Sequence, residues 1–403
     1  MQASDVYHTQ GIRGFHVKST AYLHGEVVVR LEFPSDHVFC CPCGNRDVKV
    51  YQDGERTVTG LPSGKMKVRF VYPSVRVDDC SVCGKSARIP VPFVWPHARH
   101  TRAVERSVIE LRREMSIKAV ANFYGIDWRT VKDIEKRHLQ TKFRRIRLKD
   151  VRVIGIDEIH VGKEGFKTIV RDLQSGAVLF VGKGKGEEAL KPLERRIKSS
   201  RAKIKLVAMD MAAGFEKWVR RVLSKAEIVF DHFHLIKLMN DKLNQLRRKT
   251  MAEMDDETRK ELKNKRKLFL RNEEELEPED KTELERIKKL SEELSTAHAM
   301  KEQLRSIYST AKNTADARLL LRKWIRAARA STVACLKTMA NTIEKHLEGI
   351  LVYWKTKGLT SAGMEGFNNK IRWLIRQAYG FHDQEYFELK IYDLPTCKTA
   401  KEI

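Results

Sequence analysis

The order of apolar and polar positions changes character along the chain. Through about residue 95, apolar residues alternate with polar ones in GEVVVRLEF, DVKVYQDGERTV and MKVRFVYPSVRV. Gly, Pro and Asp separate these segments, which predicts short antiparallel strands. IPVPFVWPH, residues Ile89–His97, holds three prolines, resists regular structure and reads as a linker. Residues 100–140 switch to helical spacing, and from 150 to 231 strand and helix patterns alternate. From about 235 to 357 the pattern is almost wholly helical and highly charged, with Pro278 as its one break. A last helix starts near Ser361, and no internal repeat or low-complexity linker interrupts this order.

The alternating region can be read element by element. RVIGIDEIHVG predicts a first strand, and KTIVRDL and AVLFVGKG supply two more at hairpin spacing. EEALKPLERRI is an amphipathic helix, KIKLVAMDM a fourth strand, GFEKWVRRVLS a second helix and AEIVFDHFH a fifth strand. Three antiparallel strands followed by alternating helices and strands is the order of a ribonuclease-H-like fold, in which the first and fourth strands lie side by side.

Composition narrows the partners. The chain has 403 residues, 42% hydrophobic and 33% charged, enough for two or more soluble domains. No apolar run approaches the ~20 residues of a membrane span. The opening MQASDVYHTQGIRG lacks the order of a signal peptide, so an intracellular, cytoplasmic protein is expected. The 78 Lys+Arg against 53 Asp+Glu give a formal net charge of +25, which implies an anionic partner. Nucleic acid fits first, because no amphipathic anchor or lipidation signal points to a membrane.

Seven cysteines are too few and too clustered for a disulfide framework in a chain of this size. Cys40, Cys41, Cys43, Cys80 and Cys83 share one short region, whereas Cys335 and Cys397 stand apart. CCPCGN and CSVCGK each contain C-x-x-C-G, pairing Cys40 with Cys43 and Cys80 with Cys83 as the four ligands of a structural Zn²⁺ site. Cys41 is left out, because using it shortens the spacing of its pair.

SIKAVANFYGIDWRTVKDIEKRHL, residues 116–139, carries the marks of a helix-turn-helix. Ala121 is small where two helices cross, Gly125 marks the turn, and Ile126, Val131 and Ile134 face back. Ser116 and Asp127 are N-caps. An upstream helix with Val104, Val108 and Leu111 on one face completes a trihelical unit. The second helix then exposes Arg129, Lys132 and Lys136 to DNA, with Trp128 and Thr130 at its N-terminal end, the end that enters a major groove in this motif.

Two adjacent carboxylates, Asp157 and Glu158, follow an apolar strand. Alternation puts them on opposite faces, so only Asp157 can join Asp210, which ends the fourth strand beside it. Two facing carboxylates repel, and divalent cations are the natural compensation. Glu365, at the start of the last helix, supplies a third ligand, and Gly380 caps that helix. Three such acids suit two Mg²⁺ (or Mn²⁺) ions about 3.5–4 Å apart.

These pieces together resemble the bacterial insertion-sequence transposases of the ISL-three family. The resemblance spans nearly the whole chain, from CCPCG to FELKIYDL, and is carried by GIDE, AMDM, FDHFH and above all SAGMEGFNNKIRWLIRQAYGF. It implies a DDE enzyme whose catalytic acids are Asp157, Asp210 and Glu365. Asp231 and His234 match an Asp-x-x-His signature that follows the second acid in related groups. The resemblance also implies that the long helical block helps hold transposon ends. Its Trp324 is a candidate either for stacking on a displaced base or for packing in the core of an amphipathic helix, and the charge pattern of Asp255–Glu293 reads as a solvated helical hairpin.

The expected architecture is multidomain, α+β and α/β. A β-rich zinc ribbon with four cysteine ligands covers 1–97 and a helix-turn-helix covers 98–148. A ribonuclease-H-like catalytic domain covers 149–235 and 358–395, interrupted by an all-helical insertion over 236–357. The expected function is binding of terminal inverted repeats in double-stranded DNA followed by Mg²⁺-dependent strand cleavage and strand transfer, by at least a dimer in the bacterial cytoplasm at the nucleoid. The alternatives are a domesticated, non-catalytic DNA-binding protein and a structure-specific nuclease of the same fold.

Overall fold

The computed structural model describes residues 3–263 and 265–395, so Cys397 lies outside the described residues. The chain forms two compact units, Met1–Thr141 and Lys142–Ile403.

The first unit opens with α1 (Ala3–Gln10), followed by β1 (His16–Leu23), β2 (Glu26–Glu32), β3 (Val50–Thr59), β4 (Lys67–Val77) and the short β5 (Ala87–Arg88). The sheet runs β1-β2-β4-β3, with β5 on the far end of β4. Not all of its pairings are antiparallel as expected, because β2 and β4 run parallel. The reason is β4, whose Val68, Phe70, Tyr72 and Val77 are buried and which therefore takes a central place with a partner on either side. The chain between β2 and β4, which includes β3, is long enough for the crossover that a parallel neighbour requires.

The proline-rich Ile89–His97 does more than link. Its Val91, Phe93 and Val94 are buried against Val27, Val29, Val58 and Phe70. Three helices follow: α2 (Arg102–Leu111), α3 (Ile117–Tyr124) and α4 (Trp128–Lys142). Val104, Val108, Val120, Ala121, Val131 and Ile134 form their common core. The caps are those read from the sequence. The Ser116 hydroxyl accepts from the Ala119 amide at 3.1 Å, and Gly125 ends α3 with φ +63°. A buried ion pair, Arg112 to Glu135 at 2.7 Å, ties α2 to α4.

The second unit is built on a five-stranded sheet. Its elements are β6 (Val153–His160), β7 (Phe166–Asp172), β8 (Val178–Lys183), α5 (Gly186–Ser200), β9 (Leu206–Met209), α6 (Ala213–Val222) and β10 (Glu227–Phe230). The order β10-β9-β6-β7-β8 places the first and fourth strands of this sheet side by side and parallel. There follow α7 (His232–Glu253), α8 (Asp256–Leu262), α9 (Arg266–Leu270), α10 (Pro278–Lys288), α11 (Glu292–Thr310), α12 (Thr314–Ala330), α13 (Ala334–Lys345), α14 (Leu347–Lys355), α15 (Ala362–Gln377) and α16 (Gln384–Asp393).

One face of the sheet and the helical block share a continuous core, running from Ile156 and Trp218 to Phe269, Leu304 and Ile350. The stretch Asp255–Glu293 is accordingly no free hairpin. It breaks into short helices that bury Leu268, Phe269, Leu284 and Ile287 in that core. The opposite face, with Ile159, Ile169 and Val181, is covered by Met364, Phe367 and Ile371 of α15 and by Phe387 and Ile391 of α16. No helix among the described residues is long and apolar enough to cross a membrane.

Candidate active site and metal centre

Four sulfurs converge in the first unit, but not quite the four expected. Cys41, Cys43, Cys80 and Cys83 place their ligand atoms within 4.8 Å of one another, with Cys41 to Cys83 at 3.7 Å and Cys43 to Cys80 at 3.8 Å. Cys40 stays exposed and is replaced by Cys41. Neighbouring residues of an extended chain point in opposite directions, so one of the two must face away. Cys41 is the one turned inward, closing a tight turn in which the Gly44 amide donates to the Cys41 carbonyl at 2.8 Å. The second turn is one residue longer, with the Gly84 amide donating to the Cys80 carbonyl at 2.7 Å. Gly44 and Gly84 both have positive φ, +97° and +65°, which favours glycine there.

The environment separates the thiols. The Asn45 amide and the backbone N–H groups of Cys83 and Val82 pull Cys80 down to about 6. The Cys43 amide favours a Cys41 thiolate, yet burial and the neighbouring sulfurs push Cys41 up to about 12. A set of four cysteines of this kind suits a closed, tetrahedral Zn²⁺ site.

On α4, Trp128 is half exposed and Arg129 is exposed, with the guanidinium 5.5 Å from the indole centroid. Thr130, Lys132 and Lys136 are half-buried along the same helix, while Val131, Ile134 and Glu135 face inward.

In the second unit, strand pairing sets up the acidic pair. The parallel register matches Gly155 with Ala208, and Asp157 and Asp210 each lie two residues further along the same face. Asp157 is fixed at both oxygens. Oδ1 accepts from the Glu158 amide at 2.8 Å and Oδ2 accepts from Asn368 Nδ2 of α15 at 2.7 Å. Burial, and to a lesser degree Asp210, push the Asp157 carboxyl up, against the pull of the Glu158 amide, His234 and Asn368. Asp210 accepts from the Ala212 amide at 3.1 Å. Glu158, on the other face, is also pushed up, first by burial and then by Asp210.

Glycine at 155 lets α15 approach. A Cβ there would stand 2.8 Å from Leu173 and 2.9 Å from Met364.

Glu365 is not drawn into this pair. It stands exposed in the first turn of α15. Among the described residues, the four cysteines are the only group of three or more Cys, His, Asp or Glu side chains close enough to share an ion. Three uncompensated carboxylates would repel, and the exposed one is free to stand off.

Asp231 and His234 sit beside the acids. Asp231 caps α7, accepting from the Phe233 amide at 2.9 Å and from the Ser361 hydroxyl. Burial opposes its ionisation, but His232, Ser361 and the Phe233 amide hold it down at about 2. The His234 ring lies 3.8 Å from Asp231, and its Nδ1 is buried without a hydrogen-bond partner. Asn368, which sequence reasoning assigned no role, is also left with an unpaired oxygen, Oδ1. Its spacing of three residues from Glu365, on the same helical face, was the available signal.

Trp324 does not reach DNA. It is 3% exposed, and its indole N–H donates to the Met300 carbonyl at 2.8 Å, packing α12 on α11. Its basic neighbours lie on the other side of an amphipathic helix. Trp324→Ala is therefore expected to cost about 3–5 kcal/mol in denaturant melts and to leave DNA affinity of the folded protein unchanged.

Sequence profiles identify the family. One described as Transposase matches residues 154–391, and one described as the helix-turn-helix domain of transposase family ISL3 matches residues 89–139. The chain belongs to the ISL3 family of transposases. A transposase for insertion sequence element IS1001 of Bordetella parapertussis is 28% identical over 393 residues, covering 91% of this chain and 94% of the relative. A transposase for IS1557 of Mycobacterium tuberculosis is 27% identical over 377 residues, covering 86% and 83%. A solved Drosophila P element transposase strand transfer complex has 11% identity and a TM-score of 0.41, over 74% of this chain and 92% of that chain.

Proposed function

We propose that this chain recognises the terminal inverted repeats of an insertion sequence and cleaves and joins DNA strands with Asp157, Asp210 and Glu365. The observation that carries the reading is the register of β6 and β9, which aligns Asp157 with Asp210 beneath α15, the helix that bears Glu365. In this reading residues 149–235 and 358–395 form a ribonuclease-H-like catalytic domain, and the all-helical 236–357 interrupts it. Residues 1–97 and 98–148 form the zinc ribbon and the helix-turn-helix. The N-terminal end of α4, with Trp128, Arg129 and Thr130, reads base edges, and Lys132 and Lys136 contact the backbone. The partner is double-stranded DNA, the working form is a homodimer that holds two ends, and the setting is the bacterial cytoplasm at the nucleoid.

The donor set suits hard cations, with carboxylate oxygens and the unpaired Asn368 Oδ1 on one side of the sheet. Bound Mg²⁺ or Mn²⁺ would supply charge neutralisation at the scissile phosphate and a more acidic attacking hydroxyl. The chain's own residues do the positioning. The Glu158 amide and Asn368 hold Asp157 in one orientation, and the Ala212 amide does the same for Asp210. Glu365 closes the set when substrate neutralises the repulsion that keeps it apart. Asp231, buried against Ser361 at the head of α15, sets where that helix begins. His234, whose buried Nδ1 has no hydrogen-bond partner and lies 3.8 Å from Asp231, is the candidate to contact the scissile phosphate or to orient Asp231.

In the first step a water oxygen bonds to phosphorus as the bond to the 3′-oxygen breaks, leaving a 3′-hydroxyl. In the second step that hydroxyl attacks a target phosphorus and displaces another 3′-oxygen.

Pre-cleaved ends test the second step directly. Joining to another duplex is expected, and hydrolysis without joining would make the chain a nuclease of the same fold. Asn368→Ala removes the group that orients Asp157. It is expected to lower divalent-ion affinity or cleavage about 10–100-fold, read as a shifted metal midpoint with end binding intact.

A further inference from the structure

A cavity of about 260 Å³ lies in the first unit, where the proline-rich segment crosses β4 and leads into α2. We infer that this cavity receives a single unpaired nucleobase from the bound DNA. The inference rests on the DNA-binding reading above and is independent of the acidic site.

The floor is polar but uncharged. Tyr72 and Ser74 alternate on β4 and so face the same way. They are 2% and 3% exposed, and both hydroxyls are buried without a hydrogen-bond partner. A buried hydroxyl left unpaired is costly, and each can donate and accept. That versatility suits the edge of a neutral base.

The walls are flat. Trp95 and Tyr72 line the cavity, and the guanidinium of Arg102 lies 3.8 Å from the Trp95 ring centroid. Bases stack on such surfaces whatever their identity.

The lining also holds two cations, Arg56, whose guanidinium lies 5.9 Å over the Tyr72 ring, and Arg88. Arg88 is paired with Asp53 at 3.0 Å, and Arg56 donates one N–H to the Ala98 carbonyl at 3.2 Å, leaving its other donors for phosphate. The volume lies below the roughly 300–1,000 Å³ of pockets that hold drug-sized ligands, so it admits one ring system and little else.

Extruding a base costs a few kcal/mol in a paired duplex and less at a mismatch. The test uses the full-length, zinc-loaded protein and the duplex terminal repeat taken from the DNA flanking its own gene. Single mismatches are placed at each position in turn. At one position, or two adjacent ones, the mismatch is expected to tighten binding at least about tenfold, because the unpairing is already done. The doubly substituted Tyr72→Phe, Ser74→Ala protein should lose that advantage, so that matched and mismatched duplexes bind it equally. If that protein folds poorly, Trp95→Ala, at a position 45% exposed, should remove the same advantage. Binding of the matched duplex with no mismatch preferred, or a preference that survives both variants, overturns the inference alone. Failure to bind the repeat at all overturns the DNA-binding reading with it.

Discussion

Asp157→Ala is expected to lower strand cleavage by about 10²–10⁴-fold while end binding is preserved. The magnitude follows from the several kcal/mol that a correctly held divalent ion contributes to charge stabilisation in phosphoryl transfer. Asp157 is the most firmly oriented of the acids, with one oxygen held by the Glu158 amide and the other by Asn368. Removing it leaves Asp210 alone at the strand ends.

The same substitution should stabilise the metal-free protein. Burial pushes the Asp157 carboxyl above its ordinary value of 3.8. An acid whose folded value is raised opposes folding once pH exceeds its unfolded value, and the penalty is complete above its folded value. At neutral pH, then, Asp157 works against folding, and its removal relieves that cost. Melts without Mg²⁺ should show Asp157→Ala or Asp157→Asn at or above the wild-type Tm, and added Mg²⁺ should raise the wild type more than either variant. Cleavage that survives the substitution would remove Asp157 from the active site.

The second large effect belongs to the cysteines. Zinc binding supplies about 10–16 kcal/mol in small metal-stapled domains, which exceeds or equals the ~5–15 kcal/mol of an entire domain's stability. Chelation, or serine at Cys43, Cys80 or Cys83, should therefore unfold the β-rich part of the first unit. The sharper contrast lies between neighbours. Cys41→Ser should lose zinc and fold, whereas Cys40→Ser, at an exposed side chain, should retain one Zn per chain and a wild-type melt. Metal analysis beside circular dichroism reads both. The reverse outcome would return the ligand role to Cys40.

These cysteines show where sequence reading stops. C-x-x-C-G spacing located the cysteine cluster, because thiols at that density have few other uses. It chose the wrong member of the doubled pair, because spacing alone carries no information on which side chain turns inward. The strands that bear the two aspartates were legible for a different reason. Strand order predicts that the first and fourth strands of the second sheet are neighbours, as β6 and β9 are, and alternation puts Asp157 and Glu158 on opposite faces.

The caps Ser116 and Gly125 were legible from local chemistry alone. Asn368 was not, since an amide in a helix looks like any polar surface residue until the packing partner is known. Trp324 stayed open between stacking on DNA and core packing because arginines and lysines surround it in sequence; helical geometry sends them to the opposite side and Trp324 into the core. Likewise, the prolines of Ile89–His97 concealed three buried apolar side chains, Val91, Phe93 and Val94.

The buried bond between Asp231 and Ser361 joins residues 130 positions apart, one at each end of the helical block. Entry to and exit from that block are thus clasped at one point beside the acids. A backbone nick in an outlying loop of the block would leave both fragments held there and by the core they share. The protein is consequently a candidate for expression as two separate polypeptides that reassemble, giving a transposase whose activity is switched on by bringing its halves together.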